Sequence, residues 1–287
     1  MSTLSPNDAA ATGDDLLLTE AARLRAHPVF EQALREYALG VAKTQESPWI
    51  ANKIISQDAR FRVVGYLLYL DADHERWPAG ANYRGLHELC TRRKEVSPRV
   101  LNTTLAVLKL TGFVTTARDP ADRRLKFYRP TARMWDFVRD WLGYASRALD
   151  LLQSGMHRSR LLQEDPTFVR RFLASAGLDH MTNPPPADLM PEFIEFFGSR
   201  EGGSALVLSA MLSDIDGQLV PSRSRIAKRY GLSKTQVSNV IALGVKSGFF
   251  LLDEDAIPMP TPHLRDSFRQ WVAIELAFYA RHMRPAG

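Results

Sequence analysis

Three short basic segments hold the residues of this sequence that are best suited to bind an anion such as a phosphate group. Residues 84–99 contain five basic and two acidic side chains, and residues 118–133 contain six basic and two acidic ones. Residues 222–238 contain five basic side chains and no acidic one. The whole chain has a net charge of only +5, so the remaining residues are acidic on balance. Positive charge concentrated in this way is the electrostatic pattern expected of a surface that binds nucleic acid.

A helix-turn-helix pattern lies in the last of these segments. A short helix over residues 226–230 is predicted to end at Gly231, and Ser233 is predicted to cap the next helix at its N-terminus. The apolar face of that second helix repeats every three or four residues and consists of Val237, Val240, Ile241 and Gly244. The remaining face carries hydrogen-bonding side chains that suit base edges, namely Lys234, Thr235, Gln236, Ser238 and Asn239.

The same pattern occurs earlier in the chain. Ser97 is predicted to cap a helix whose first residue is Pro98, where the missing N–H costs nothing. The face predicted to be buried consists of Leu101, Leu105 and Leu108. Arg99, Asn102 and Thr103 then point outward at the N-terminal end, which is the part of a recognition helix that reaches the DNA groove. Four arginines on or near the preceding helices complete the predicted binding surface, namely Arg92, Arg93, Arg223 and Arg225.

A β-hairpin is predicted directly after the earlier helix pair. Gly112 ends the second helix, and residues 114–118 and 125–129 have the composition of strands. Residues 119–122 between them have the composition of a turn. Arg123 and Arg124 follow this turn, so the hairpin carries positive charge at its tip. A helix-turn-helix followed by such a hairpin is a winged helix.

An internal repeat organises the chain. Residues 130–141 align without gaps on residues 260–271, and the aligned pairs include Trp141 with Trp271. Shorter matches occur upstream in the same order. We therefore expect a disordered tail over residues 1–20, a first copy over 21–153 and a second copy over 160–283. The expected fold is mainly α-helical with small β-hairpin wings, as two tandem winged helix-turn-helix domains in a pseudo-two-fold arrangement.

Residues 61–135 resemble the core of the MarR family of bacterial transcriptional regulators. The resemblance lies in residues 110–114 (LTGFV), in residues 119–124 (DPADRR) and in a helix that begins after Pro130 and Thr131. It implies that Arg123 or Arg124 enters the minor groove while the helix with Arg99 occupies the major groove. The second copy departs from the family at its wing, because residues 249–256 are apolar and then acidic, with no arginine.

The resemblance also implies association through terminal helices. Here the two terminal segments, residues 133–152 and 264–282, belong to one chain, so we expect a single-chain pseudo-dimer that reads two unequal half-sites about 34–36 Å apart. Whether two chains also form a homodimer stays open. Aromatic residues in both segments are predicted to pack together, and the resemblance implies a small aromatic effector near them. These residues are Trp135, Phe137, Trp141, Tyr144, Phe268, Trp271, Phe278 and Tyr279.

Other functions compete with this prediction. Tandem winged helices also occur in chromosome-segregation scaffolds and in plasmid replication initiators, and fold alone does not fix function. We find no nucleotide-binding loop, nucleophile motif or metal-ligand spacing, so we expect neither an enzyme nor a cofactor. The sequence contains no membrane-spanning stretch, so the protein is expected in the bacterial cytoplasm, on the nucleoid.

Two smaller features also have competing interpretations. Cys90 could sense oxidants, but Leu86 and Leu89 beside it predict a buried thiol. Residues 71–75 contain Asp71, Asp73, His74 and Glu75, which resemble ligands for a hard metal. The aspartates recur in the second copy as Asp214 and Asp216, so we expect roles at a helix end and in a turn instead. The sequence thus predicts a repressor that binds double-stranded DNA without a metal.

Overall fold

The computed structural model describes residues 13–46, 58–92, 94, 96–118, 126–183, 185–198 and 202–285. These residues are mainly α-helical and form two small antiparallel hairpins, as the sequence predicts. Among the described residues, no helix combines the length and the hydrophobicity that crossing a membrane requires.

In the described residues, six helices and one hairpin form what we call the first half. They are α1 (Gly13–Arg25), α2 (Phe30–Glu46), α3 (Asp58–Ala72), α4 (Tyr83–Arg92), α5 (Pro98–Leu110), β1 (Val114–Arg118), β2 (Lys126–Pro130) and α6 (Ala132–Leu152). The hairpin of β1 and β2 is the first wing.

The second half follows a 3-10 turn at Ser154–Met156. It consists of α7 (Arg158–Glu164), α8 (Phe168–Thr182), α9 (Pro191–Phe197), α10 (Gly203–Ile215), α11 (Arg223–Tyr230), α12 (Lys234–Lys246), β3 (Phe250–Leu252), β4 (Pro258–Pro260) and α13 (Pro262–His282). A 3-10 turn at Pro186–Leu189 lies between α8 and α9. The hairpin of β3 and β4 is the second wing.

Helix α1 corrects the expected N-terminal tail. It begins at Gly13, so the prediction of disorder is wrong for residues 13–20, whereas residues 1–12 lie outside the described part of the chain. Leu17 is only 3% exposed and Leu24 only 1%, because this face of α1 packs against α13 at the other end of the chain. The prediction of a tail rests on a composition over residues 1–20 rich in Ser, Asp, Ala and Thr, which does not indicate this apolar face because its partner is distant in sequence.

The two halves interleave around one continuous hydrophobic core. Helix α2 packs on α6 in its own half and on α10 in the second half, and α8 of the second half packs on α3 of the first. Arg158, which is 1% exposed, donates from Nε to the carbonyl oxygen of Met283 at 3.1 Å and joins the junction between the halves to the end of α13. Neither half therefore encloses its own core.

The base of each wing is built from the same hydrogen bonds. Gly112 and Gly248 both adopt φ of +73°, and the carbonyl oxygen of each accepts a 2.8 Å bond from a threonine hydroxyl, Thr131 or Thr261 respectively. The register also agrees, since Val114 pairs with Pro130 and Phe250 pairs with Pro260. The wings differ beyond this base, because β1 and β2 have five residues each and β3 and β4 have three.

The terminal helices α6 and α13 meet through aromatic side chains. The rings of Trp141 and Tyr279 lie edge to face with centroids 5.9 Å apart, and Tyr279 is 3% exposed. Phe268 and Trp271 are buried as well, while Trp135 and Phe137 pack against the core from its edge. The prediction that the aromatic residues of the two segments pack together is confirmed for Trp141 and Tyr279, whose rings are in contact between the helices.

Candidate nucleic-acid interface

The helix-turn-helix of the first half consists of α4 and α5. Ser97 caps α5, since its Oγ accepts the N–H of Val100 at 3.3 Å and Pro98 occupies the first turn. The predicted inner face is confirmed, because Leu101, Leu105 and Leu108 are at most 3% exposed. Arg99, Asn102 and Thr103 are exposed beside the cap, and the Thr103 hydroxyl donates to the Arg99 carbonyl oxygen at 2.8 Å. The start of α5 therefore presents a guanidinium and an amide to the solvent.

The helix-turn-helix of the second half consists of α11 and α12. Gly231 ends α11 in the left-handed conformation with φ of +66°, and Ser233 caps α12, as predicted. Val237, Val240, Ile241 and Gly244 form the buried face. Lys234, Thr235 and Asn239 are exposed, while Ser238 is half-buried.

Gln236 has a structural role that the sequence analysis missed. Its Oε1 accepts the backbone N–H of Ser233 at 2.8 Å, while the Ser233 hydroxyl accepts the N–H of Gln236 at 3.1 Å. This reciprocal pair is a capping box. The spacing of a serine followed three residues later by glutamine is the usual signal for it. The side-chain oxygen of Gln236 therefore accepts a hydrogen bond at the start of α12 and is not directed at a base edge.

The predicted basic residues divide into two groups. Arg92, Arg223 and Arg225 are exposed on α4 and α11, and Arg223 also donates from Nη2 to the carbonyl oxygen of Ala256 in the second wing at 3.2 Å. Arg93, Arg123 and Arg124 lie outside the described residues. The strand prediction for the first wing is confirmed to within a residue, because β1 spans Val114–Arg118 and β2 spans Lys126–Pro130.

Additional polar residues border this surface. Tyr83 and Arg84 are exposed at the start of α4, and Arg118 and Lys126 are exposed and paired across the first wing. Three of these four residues belong to the basic segments, but the charge of a segment alone does not show which of its side chains face outward beside α5. Their positions extend the basic surface from α5 to both strands of the wing.

The second wing has a different surface. Asp253, Glu254 and Asp255 form its tip, and the Asp253 carboxylate accepts the N–H of Ile257 at 2.7 Å, which closes the turn. Leu251 and Met259 pair across the strands and are 60% and 44% exposed. This wing therefore offers an apolar and acidic surface where the first wing is basic.

Cys90 and Asp73 take the roles that the sequence favours, whereas Asp71 has a different one. Cys90 is 1% exposed, which confirms a buried thiol. Asp73 accepts the N–H of Arg76 at 3.2 Å in the turn after α3, and Asp71 forms ion pairs with arginines. Within the described parts of the chain, no three His, Cys, Asp or Glu side chains lie close enough together to hold a metal ion.

Two adjoining cavities of about 190 and 180 Å³ lie where the halves meet. The first is lined mainly by α3, α6 and α8, and the second by α2 and α13. Six residues line both, namely Phe61, Phe137, Trp141, Ala187, Glu275 and Tyr279. The wall that the two cavities share is therefore largely aromatic, and it includes the carboxylate of Glu275.

A row of hydrogen bonds next to the larger cavity joins α8 to α13. His282 lies with Nδ1 2.8 Å from the Ser175 hydroxyl and with Nε2 2.9 Å from Asp179 Oδ2. The bond to His282, together with those from Asn183 and Arg281, lowers the pKa of the Asp179 carboxyl below its ordinary value. Ser175 and Asp179 are one turn apart on α8, so the arrangement clamps the two helices together.

No protein-family model matches this chain, and comparisons with curated proteins and with solved structures find none that is similar to it.

Proposed function

We propose that this protein is a transcriptional regulator that binds double-stranded DNA through two winged helix-turn-helix modules carried on one chain. The observation that carries the proposal is the pair of serine-capped helices, α5 and α12, each preceded by a short helix with exposed arginines. Each presents polar or basic side chains at its N-terminal end, where a recognition helix contacts base edges. Backbone and arginine contacts supply affinity, and the N-terminal side chains supply sequence preference.

We further propose that the halves are tandem copies of one ancestral module, with the MarR family as the nearest parallel. Aligned residues of the two sequences make the same hydrogen bonds at the base of each wing. The exchange of helices between the halves supports a pseudo-dimer with modules in fixed relative positions. Because the wings differ, the DNA site is asymmetric, with half-sites about one helical turn apart.

In this proposal the protein acts as a repressor by occupying a promoter. The cavities at the junction of the halves suit a small aromatic effector, since their walls are aromatic and both halves contribute to them. An effector bound there contacts the helices that set the spacing between the modules, so it changes DNA affinity.

Binding to DNA is tested by titrating the purified protein with its own promoter fragment and with random duplex of equal length over a range of salt concentrations. We expect a preference for the promoter that weakens steeply with salt, because each neutralised phosphate releases counterions. The double variant Arg123→Ala/Arg124→Ala is expected to lose much of this preference. The matched control, Arg139→Ala/Arg160→Ala, removes the same charge from two exposed arginines on α6 and α7.

A second candidate is a protein-binding scaffold, and the second wing favours it. The exposed Leu251 and Met259 with the acidic tip suit contact with a protein more than contact with a phosphate backbone. Absence of binding to either duplex at low salt would contradict the regulator and favour this scaffold.

A further inference from the structure

Asp71 is a buried carboxylate shared by two arginines from different parts of the chain. It is 5% exposed, near the end of α3. Its Oδ1 lies 3.6 Å from Nη1 of Arg129 in β2, and its Oδ2 lies 3.2 Å from Nη1 of Arg170 in α8. Arg170 also donates to the Asp71 carbonyl oxygen at 2.9 Å. One side chain therefore joins the first wing to a helix of the second half.

Each arginine is held from a second side as well. The Arg170 guanidinium lies over the ring of Trp135 at 4.5 Å, and the Arg129 guanidinium lies 5.5 Å from the ring of Phe127. Gly80 leaves room for Arg129, since a Cβ at this position would lie 2.6 Å from its Nη1. A buried carboxylate is costly unless its charge is compensated. Removing Arg170 leaves Asp71 with one cation at 3.6 Å and without the guanidinium that fixes its Oδ2, so the carboxylate is held less firmly in place beside Arg129.

The aspartate of the second half that corresponds to Asp71 has a different partner. Sequence alignment places Asp214 opposite Asp71, and Asp214 pairs at 2.6 Å with Arg265 of α13. The residue opposite Arg129 is Met259, which is exposed on the second wing. An ion pair between α3 and the wing, Asp71 with Arg129, therefore connects the first wing to the core. The second wing has Met259 in place of this arginine.

We propose that Asp71 and Arg170 are positioning residues for the first wing, so that the second half controls how firmly this wing is held against DNA. The inference rests on the proposed function and adds a regulatory connection to it. Helix α8 also lines the larger cavity through Phe172 and Ala176. A ligand that shifts α8 moves Arg170, and through Asp71 it loosens β2.

The test compares Arg170→Ala with Arg160→Ala in the full chain. Arg160 makes an exposed ion pair with Glu164 within α7, so its removal changes the charge of the second half equally without touching Asp71. The first readout is hydrogen exchange of the β1 and β2 amides without DNA. We expect faster exchange in Arg170→Ala and in Arg129→Ala, and wild-type rates in Arg160→Ala.

The second readout is the salt dependence of promoter binding. We expect Arg170→Ala to weaken binding about five- to tenfold and to reduce the salt slope by about one for each phosphate that the wing no longer neutralises. Arg170→Lys, which keeps the charge, is expected to recover part of both effects. The Arg170 side chain is 43% exposed, so its removal leaves the core intact. We therefore prefer Arg170→Ala to Asp71→Asn, which alters a buried residue and endangers the fold.

The outcomes separate the two proposals. Faster wing exchange in Arg170→Ala supports the positioning role even if the wild-type protein binds no DNA, a result that would overturn only the regulator. Unchanged exchange, or equal changes in Arg160→Ala, would overturn the positioning role even if the wild-type protein reads its promoter. If Arg170→Ala and Arg160→Ala changed the salt slope equally, the lost net charge would explain the change. This result would also overturn the positioning role.

Discussion

Arg35 of α2 donates to Asp216 at the end of α10 across 181 residues of sequence, with Nε and Oδ1 2.8 Å apart. A second ion pair runs the other way, since Arg170 of α8 in the second half pairs with Asp71 near the end of α3 in the first half. The second helix of each half is thus tied by an arginine to a helix of the other. These reciprocal contacts accompany the interleaved packing and place both helix-turn-helix units on one frame.

Unfolding is expected to be a single cooperative transition. Because α1 packs on α13, α2 on α10 and α8 on α3, neither half keeps its core when the other unfolds. Scanning calorimetry should give a ratio of calorimetric to van't Hoff enthalpy of about one. Two separate transitions, each accounting for part of the enthalpy, would contradict the interleaved arrangement.

Base discrimination is expected to depend on the start of α5. Replacing Arg99 or Asn102 by alanine should cost about 1–3 kcal/mol of preference for the promoter over random duplex. Lys109→Ala, at the exposed C-terminal end of the same helix, is the control and should leave the ratio of the two affinities unchanged. Equal losses on both duplexes in Arg99→Ala and Asn102→Ala would argue against base reading by this helix.

Two glycines should respond to alanine in opposite directions. A Cβ on Gly177 of α8 would lie 2.3 Å from the ring of Tyr69, which is 3% exposed, so Gly177→Ala should destabilise the protein by about 1–3 kcal/mol through overpacking. Gly65 of α3 is exposed, with no atom within 4 Å of an added Cβ. Gly65→Ala should therefore stabilise it, by up to about 1 kcal/mol. Urea titrations of both variants measure the two effects, and a stabilising Gly177→Ala would refute the close approach of α8 to α3.

Stability is expected to fall on the acid side through Asp179. Its pKa is lowered chiefly by the hydrogen bond to His282, so the folded state favours the charged carboxylate. The stabilisation is complete above the ordinary value of 3.8 and is lost as the pH falls through the lower value in the folded protein. Asp179→Asn should cost about 1–3 kcal/mol at pH 7, and the cost should shrink below pH 3.8. Urea unfolding at both pH values measures it, and a cost that is constant with pH would exclude this role.

A ligand in the junction cavities should stabilise the protein. A phenolic compound at a concentration of about 100 times its Kd adds about 2.7 kcal/mol to the free energy of unfolding and raises Tm accordingly. Ala176→Leu fills part of the larger cavity and should reduce the shift, whereas Ala174→Leu on the same helix lies outside the cavity lining. Identical Tm shifts in both variants would place the ligand elsewhere, and no shift with any phenolic compound would remove the effector from the proposal.

Local signals in the sequence located much of the fold. Ser97, Gly231 and Ser233 take the capping roles that their residue types favour, because a cap depends on a few neighbouring backbone groups. The capping role of Gln236 could have been predicted in the same way, because Ser233 lies three residues before it. The face of α5 followed from periodicity, since it packs against elements of its own half.

Long-range packing could not be predicted in the same way. The partner of α1 lies some 250 residues away, and no local pattern indicates which distant helix covers Leu17. The aspartates near the ends of α3 and α10 were recognised, but their arginine partners on α8 and α2 depend on the exchange of helices between the halves. The cavities arise from the same exchange, so sequence patterning could place the aromatic residues without outlining the space between them.

The continuous chain between α6 and α7 determines how the protein responds to a change in its concentration. A regulator assembled from separate subunits loses one of its modules as it is diluted, because dissociation depends on concentration. Here both modules belong to one polypeptide and share one core, so dilution leaves the pair intact. In the proposed regulator, promoter occupancy by a single chain is therefore expected to rise in simple proportion to the number of molecules when that number is small, without the threshold that subunit assembly imposes. If the halves are tandem copies, as proposed, each module also accumulates substitutions separately, which allows one wing to become acidic while the other stays basic.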